Sequence, residues 1–193
     1  MPIKSKISHS DGIFFITFTC YQWLPLIEVT NGYDLVYKWF DLLKVFGHYI
    51  VGYQLMPNHI HVVIAFRNSG KHINTIIGSG KRFIAYGIVE RLQKDHNQET
   101  LSKLEVGVRS TDRKRGKKHE VWEDSFDWKE CFSNKMICDK LDYMHNNSLS
   151  GKWQLVDDPT DYVHSSAKYY ITGEQGIYPV THYMELEDID LTI

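Results

Sequence analysis

Two observations predict a mixed α+β fold for this chain. Segments rich in β-branched and aromatic residues alternate with segments whose apolar residues recur every three or four positions. They follow in the order strand, helix, strand, strand, helix, strand, and a further helix comes after them. The turn dipeptide Pro57-Asn58 between the second and third strands favours an antiparallel return. This order predicts a ferredoxin-like antiparallel sheet with helices on one face, so that the late helix or a site can occupy the other.

The first half of the chain supplies three strands and two helices. The first strand is predicted over residues 12–21, where β-branched and aromatic types are dense. A helix over 31–46 follows, because its apolar residues share one side. The next two strands cover 48–55 and His59–Phe66, and the second helix covers 72–95 with a continuous apolar stripe.

The second half is less regular. Residues 96–119 carry much charge and little periodicity, which indicates a loop. Residues 121–122 favour the start of a short fourth strand, and 133–146 favour the third helix. We therefore expect one domain over residues 1–150 and a C-terminal extension over 151–193 that packs on it.

The composition is that of an ordinary globular chain. Its 193 residues are 42% hydrophobic and 24% charged, which excludes disorder along the whole length. No apolar run approaches the ~18 residues of a membrane span, and the N-terminal residues lack the apolar core of a signal peptide. We expect a cytoplasmic location and no membrane partner. The three cysteines are odd in number and lack CxxC spacing, which indicates free thiols.

The net charge of −2 conceals two parts of opposite sign. Residues 103–118 contain seven Lys or Arg and two acids, whereas the last ten residues contain four acids and no basic residue. A near-neutral sum of this kind does not exclude nucleic acid as a partner.

His59 and His61 form the most informative pair of residues. On a strand, positions i and i+2 point to the same face, so the two imidazoles should converge beside Val63 and Ala65. Two convergent neutral imidazoles are good ligands for a divalent metal ion. An exposed strand start with two polar residues would give the same spacing.

Tyr143 and Asn147 are the second candidate pair. They are four residues apart at the third helix and should therefore share a face. Tyrosine can act as a nucleophile that forms a covalent intermediate, and the asparagine could offer an oxygen to a metal. Hard oxygen ligands beside imidazoles suit Mg²⁺ or Mn²⁺.

These two segments carry a family resemblance. The run YQLMPNHIHVVI at residues 53–64 resembles the signature strand of the HUH single-strand DNA transposases, most of all the REP-associated tyrosine transposase branch. The run KLDYMHNN at residues 140–147 resembles the tyrosine helix of that family. Looser matches are residues 121–126 before that helix and residues 157–167 after it. The resemblance spans roughly residues 12–170 in the order of the family.

The resemblance implies a metal-dependent tyrosine transposase that acts on single-stranded, hairpin-containing DNA. His59 and His61 would hold Mg²⁺ or Mn²⁺, and Asn147 would match the third, polar ligand. Tyr143 would attack a phosphodiester, form a 5′-phosphotyrosine link and leave a free 3′-OH. In such proteins the tyrosine helix serves its own chain's site or a partner's, so a monomer and a homodimer both fit.

One position departs from the family pattern. Ser148 stands where the family usually has proline, which would end the helix after the third ligand. We expect its absence to loosen the end of the tyrosine helix. A catalytically weakened or domesticated DNA-binding protein of the same fold is therefore an alternative, and a metal-dependent hydrolase that does not use Tyr143 is a third.

Basic residues supply candidates for phosphate contacts. Two groups qualify, a run after the second helix and a pair on it: Arg113, Lys114, Arg115, Lys117 and Lys118, with Lys81 and Arg82. A solvated loop would explain the run equally well. The 12 tyrosines and 5 tryptophans include candidates for stacking on unpaired bases.

Overall fold

A four-stranded antiparallel sheet organises the chain. The structure is a computed structural model that describes residues 6–124, 126–149 and 153–193. The strands are β1 (Gly12–Thr19), β2 (Tyr49–Met56), β3 (His59–Phe66) and β4 (Asp127–Glu130). Their order in the sheet is β2-β3-β1-β4, and each neighbouring pair is antiparallel. This arrangement confirms the α+β, ferredoxin-like prediction.

Strand β3 lies between β2 and β1, and all eight of its residues are buried. Its side chains alternate between the two faces of the sheet, which explains why the strand reads as a nearly continuous apolar run. One face meets the main core through Ile60, Val62, Ile64 and Phe66. The opposite face carries His59, His61, Val63 and Ala65, as the spacing predicts.

Two long helices cover the first of these faces. They are α2 (Tyr33–Val45) and α3 (Ile73–Lys94), and their apolar stripes enter the same core cluster as the strands. They pack closely because α3 carries glycine where it meets α2. A Cβ at Gly80 would lie 2.3 Å from Nε1 of Trp39, closer than the two atoms can approach.

The remaining helices are short, apart from one of 12 residues. They are α1 (Leu26–Val29), α4 (Gln98–Val106), α5 (Ser110–Lys114), α6 (Asn134–His145) and α7 (Ala167–Thr172), with 3₁₀ turns at Tyr21–Trp23, Asn146–Leu149, Pro159–Asp161 and Tyr183–Leu186. No helix among the described residues is long and apolar enough to cross a membrane.

Residues 96–119 differ from the predicted loop, because they contain α4 and α5. The side chain of Asn97 caps the start of α4 by accepting a hydrogen bond from Thr100 N at 3.1 Å. Only Leu101 and Leu104 of α4 are buried. Two apolar residues on a charged background give too weak a periodicity to predict a helix.

The fourth strand also differs from the prediction. Residues 121–122 form no strand; Trp122 makes a single bridge to Cys20, and its ring packs against Phe18. The strand is β4, five residues further on, where it pairs with Phe14–Thr17 of β1. Its sequence, DWKE, lacks apolar alternation because β4 is an edge strand with no buried residue.

Helix α6 packs on the second face of the sheet, against β2 and β3. Its buried residues Ile137, Leu141 and Met144 form a separate core cluster there. The approach is close, because a Cβ at Gly52 of β2 would lie 2.4 Å from Cδ2 of Leu141. The late helix thus lies on the face of the sheet that the sequence leaves for it or for a site.

The later residues lie along the free edge of β2. Leu55 N donates to His164 O at 2.9 Å, and Ser166 N donates to Tyr53 O at 3.0 Å. Gln54 and Ser165 form the bridge between these two bonds. A short segment of the late chain therefore extends the sheet beyond β2.

Candidate active site

The two histidines lie side by side at the start of β3. Their ring centroids are 4.7 Å apart, and the side chains face the same side of the sheet as α6. His59 is 7% exposed and His61 is 4% exposed. The pair is therefore a nearly buried feature of the fold rather than a polar strand end.

Each histidine is held through its Nδ1 atom. Nδ1 of His59 lies 2.7 Å from Oδ1 of Asn58, whose own Nδ2 donates to Trp23 O at 3.1 Å. The second bond orients the amide, so its oxygen accepts the Nδ1–H of His59 and leaves a lone pair on Nε2. Nδ1 of His61 lies 2.8 Å from Oγ1 of Thr17, a hydroxyl that can accept in the same way. Such outer partners orient metal-binding imidazoles.

Burial keeps both imidazoles neutral. It lowers the pKa of His59 from 6.5 to about 4. It lowers the pKa of His61 to about 3, with smaller contributions from the charges of His59 and Lys140. Both rings are neutral near pH 7, the form in which imidazole binds a metal ion.

Tyr143 lies beside this pair within the same chain. Its ring centroid is 5.6 Å from that of His61 and 6.0 Å from that of Phe15, and the residue is 55% exposed. The Nζ atom of Lys140, one turn earlier on α6, lies 5.6 Å from the centroid of the Tyr143 ring. A tyrosine hydroxyl group, a lysine ammonium group and two imidazoles thus lie close together.

Asn147 lies in the 3₁₀ turn that follows α6. Its Nδ2 donates to Tyr143 O at 3.1 Å, so its one described hydrogen bond is to the backbone of Tyr143 and not to a histidine. That bond uses the amide nitrogen and leaves the amide oxygen as the possible ligand atom. His145 faces a different direction, since its Nε2 lies 2.8 Å from Oγ of Ser166.

The end of α6 is closed without the family proline. Asn146 Nδ2 donates to Asp142 O at 2.8 Å, and Ser148 Oγ donates to His145 O at 3.3 Å. With the bond from Asn147, three side chains donate to backbone carbonyls in the last turn of the helix. The helix ends at His145 and leads directly into the 3₁₀ turn Asn146–Leu149.

Gln54 is a candidate site residue that the sequence interpretation missed. It pairs directly with His61 across β2 and β3, so its side chain points to the same face. The residue is 0% exposed; its Nε2 lies 3.8 Å from Sδ of Met56, and its Oε1 has no hydrogen-bond partner among the described residues. A buried carbonyl oxygen without a partner is rare. The strand register, once known, is the observation that reveals it.

The donor set suits a metal ion with mixed ligands. No group of three or more His, Cys, Asp or Glu residues lies together in the part of the chain that the structure describes. A divalent ion at the histidine pair would need oxygen from an amide, a phosphate or water. The Oε1 atom of Gln54 and the two Nε2 atoms fit that requirement, and such a set suits Mg²⁺ or Mn²⁺.

The fold of this chain is similar to that of a solved structure, although its sequence is not close to that of known proteins. No family model and no curated protein matches the sequence. A solved structure of a REP-associated tyrosine transposase bound to a REP hairpin matches with a TM-score of 0.59 and 16% identity, over 100% of this chain and 98% of that one. The chain has the fold of this tyrosine transposase. A candidate transposase from Deinococcus radiodurans R1 matches over 75% of this chain and 97% of its own, with 13% identity and a TM-score of 0.37.

On the transposase fold, five of the seven predicted phosphate-binding residues line one groove. This α3 groove has a volume of about 980 Å³ and lies between α3 and the chain that follows α5. The five residues are Lys81, Arg82, Arg115, Lys117 and Lys118. Arg113 and Lys114 do not line it, and Arg113 donates to Glu105 O at 2.7 Å.

The α3 groove is mixed in charge. Six Lys or Arg and five Asp or Glu line it, and several are already paired. Nζ of Lys117 lies 2.6 Å from Oε1 of Glu120, and Arg109 pairs with Asp124. Tyr86, which is 70% exposed, offers a flat aromatic surface in the same groove. The groove lies on the α3 side of the sheet, opposite the histidine pair.

Proposed function

We propose that this chain nicks single-stranded DNA and transfers the strand through a covalent bond to Tyr143. The observation that carries the proposal is the contact between the Tyr143 ring and His61, one of two buried neutral imidazoles. The shared fold with a tyrosine transposase bound to a REP hairpin supports the same reading. All of these groups lie in one chain, so a monomer suffices for the proposed site.

The proposed reaction exchanges one phosphodiester for another. The phenolic oxygen of Tyr143 attacks the phosphorus, and the bond from phosphorus to the 3′ oxygen breaks. The phenolic proton passes to water, which reaches the half-exposed Tyr143, and the departing 3′ oxygen takes a proton from water. The product is a 5′-phosphotyrosine and a free 3′-OH, and attack by another 3′-OH reverses the step.

His59 and His61 would hold the metal ion through their Nε2 atoms, with an amide oxygen from Gln54 or Asn147. When bound, the ion supplies Lewis-acid polarisation of the scissile phosphate. The structure supports three tasks for the chain's own residues. Asn58 and Thr17 orient the imidazoles, α6 presents Tyr143, and the Lys140 ammonium attracts the phosphate to the ring that attacks it.

The α3 groove is the proposed path for the rest of the DNA. Arg82 and Lys118 are exposed there, and we expect each to contact one phosphate. For single strands, a plot of the logarithm of affinity against the logarithm of salt concentration falls with a slope of ~0.7 per phosphate contact. The double variant R82A/K118A should therefore reduce the steepness of this plot by about 1.4. Lys168→Ala, whose lysine pairs with Glu174 outside the groove, is the control that should leave the slope unchanged.

The function itself is tested with purified protein, Mn²⁺ and an end-labelled, hairpin-containing single strand. We expect a labelled species that survives denaturation and migrates with the protein, and we expect Tyr143→Phe to abolish it. Labelled free ends without a covalent species would favour a hydrolase that does not use Tyr143. Binding without cleavage, under every metal tried, would favour a DNA-binding protein of the same fold.

A further inference from the structure

Trp23 combines an exposed ring with an unusual backbone. The residue is 59% exposed in the 3₁₀ turn that follows β1. Its φ is 57°, and φ of the preceding Gln22 is 50°. Both residues therefore occupy the left-handed region, which is unfavourable for side chains other than glycine. Two consecutive strained residues persist only where the surrounding structure holds them, and such strain clusters at functional sites.

Hydrogen bonds hold this turn at both strained residues. Trp23 N donates to Cys20 O at 3.0 Å, and Gln22 N donates to Oε1 of Glu123 at 2.8 Å. Nδ2 of Asn58 donates to Trp23 O at 3.1 Å. The bonds fix the backbone but do not bury the ring, so core packing does not account for the conformation.

The turn sits between the two parts of the proposed DNA site. The Trp23 ring meets the His59 ring edge-on, with centroids 5.7 Å apart. The Asn58 amide that holds Trp23 O also orients His59. On the other side, Glu123, which holds Gln22, lines the α3 groove. The turn is therefore linked by direct contacts to the histidine pair and to a residue that lines the α3 groove.

We propose that Trp23 is the stacking platform for an unpaired nucleobase of the strand, next to the phosphate at the histidine pair. This inference rests on the proposed function, because it takes single-stranded DNA as the ligand. An indole face stacks on any base, so the platform positions the strand without reading its sequence. The left-handed backbone keeps the ring turned outward, beside His59, before DNA arrives.

Metal-free binding measurements test the stacking separately from the chemistry. The probes are a fluorescent oligo(dT) of about 12 nucleotides and an abasic strand of the same length and charge. Trp23→Ala should weaken oligo(dT) binding by about 5- to 150-fold, the range of one lost stacking contact. It should leave abasic binding unchanged. Phe46→Ala is the matched control, since Phe46 is 55% exposed at the end of α2, beside Lys71 that follows β3.

A second variant separates stacking from folding. Trp23→Gly removes the ring and relieves the strain at φ 57°, so it should melt at or above the wild-type temperature and still lose oligo(dT) binding. Wild-type affinity in Trp23→Ala, or an equal loss on the abasic strand, would overturn the platform. Failure of the wild type to bind either strand would overturn it together with the proposed function. Tight binding lost in Trp23→Ala, without any adduct in the wild type, would uphold the platform and refute only the proposed chemistry.

Discussion

The docking of α6 on the sheet depends on Gly52. This residue lies on β2 beside a β-bulge, and its φ does not require glycine. Space is what excludes a side chain. A Cβ there would lie 2.4 Å from Cδ2 of Leu141 and 2.7 Å from Cε of Met144, both on α6. Gly52→Ala should therefore push α6, and Tyr143 with it, away from the histidines.

The expected cost follows from those contacts. Forcing an extra carbon into a packed core costs about 1–3 kcal/mol. The Cε end of Met144 can swing aside, whereas the branched Leu141 has less freedom, so we expect about 2 kcal/mol. For a chain of this length about 2 kcal/mol lowers Tm by about 4–8 °C.

Thermal unfolding and the adduct assay together measure the effect. Gly78→Ala is the control for thermal unfolding, because nothing lies within 4 Å of a Cβ at this helical position. It should raise stability by about 0.5–1 kcal/mol, the helix preference of alanine over glycine. Gly52→Ala should have a lower Tm than the wild type and should form less covalent adduct. A Gly52→Ala protein that melts with the wild type and reacts equally fast would refute close docking as the constraint on Tyr143.

Three further predictions concern the groups around the site. Gln54→Met should bind Mn²⁺ at least tenfold more weakly than the wild type when the affinity is measured by calorimetry. Without metal it should unfold at a higher temperature than the wild type, because the substitution removes an unpaired buried oxygen. Equal Mn²⁺ affinity would exclude Gln54 as a ligand. Burial lowers the pKa of His145 from 6.5 to about 4, so the unfolded state binds the proton first and stability is lost as pH falls through that window. Urea unfolding at a series of pH values measures this effect. Between pH 6.5 and about 4, the free energy of unfolding of His145→Asn should fall by about 3 kcal/mol less than that of the wild type. An identical pH dependence of the two proteins would contradict this. Lys140→Met should slow adduct formation at least tenfold, whereas Lys135→Met, a charge loss at an exposed position of α6, should not; equal rates would remove Lys140 from the site.

The sequence predicts well those parts of the fold that depend on residues close together in the chain. Half of the residues of strand β3 are β-branched and the strand follows a turn dipeptide, so its bounds and the shared face of its histidines are both predictable. Helix α6 is predicted over 133–146 and observed over Asn134–His145. Its start is marked by Ser133, whose side chain accepts a hydrogen bond from Met136 N at 3.4 Å.

The missed features depend on contacts between distant parts of the chain. The edge strand β4 has no apolar alternation, because its pairing with β1 comes from the backbone. Gln54 looks like an ordinary polar residue until the register sets it opposite His61. Trp23 looks like a core residue until the left-handed turn exposes its ring. No local pattern encodes these three placements.

The central claim is that Tyr143 becomes bonded to the 5′ phosphate of a cleaved strand. The most direct measurement is mass spectrometry of the protein after reaction with Mn²⁺ and hairpin-containing single strand, followed by nuclease and protease digestion. The account predicts one modified peptide, with a 5′-phosphonucleotide on Tyr143. Cleaved DNA with the nucleotide on another residue, or with no modified peptide, would contradict it.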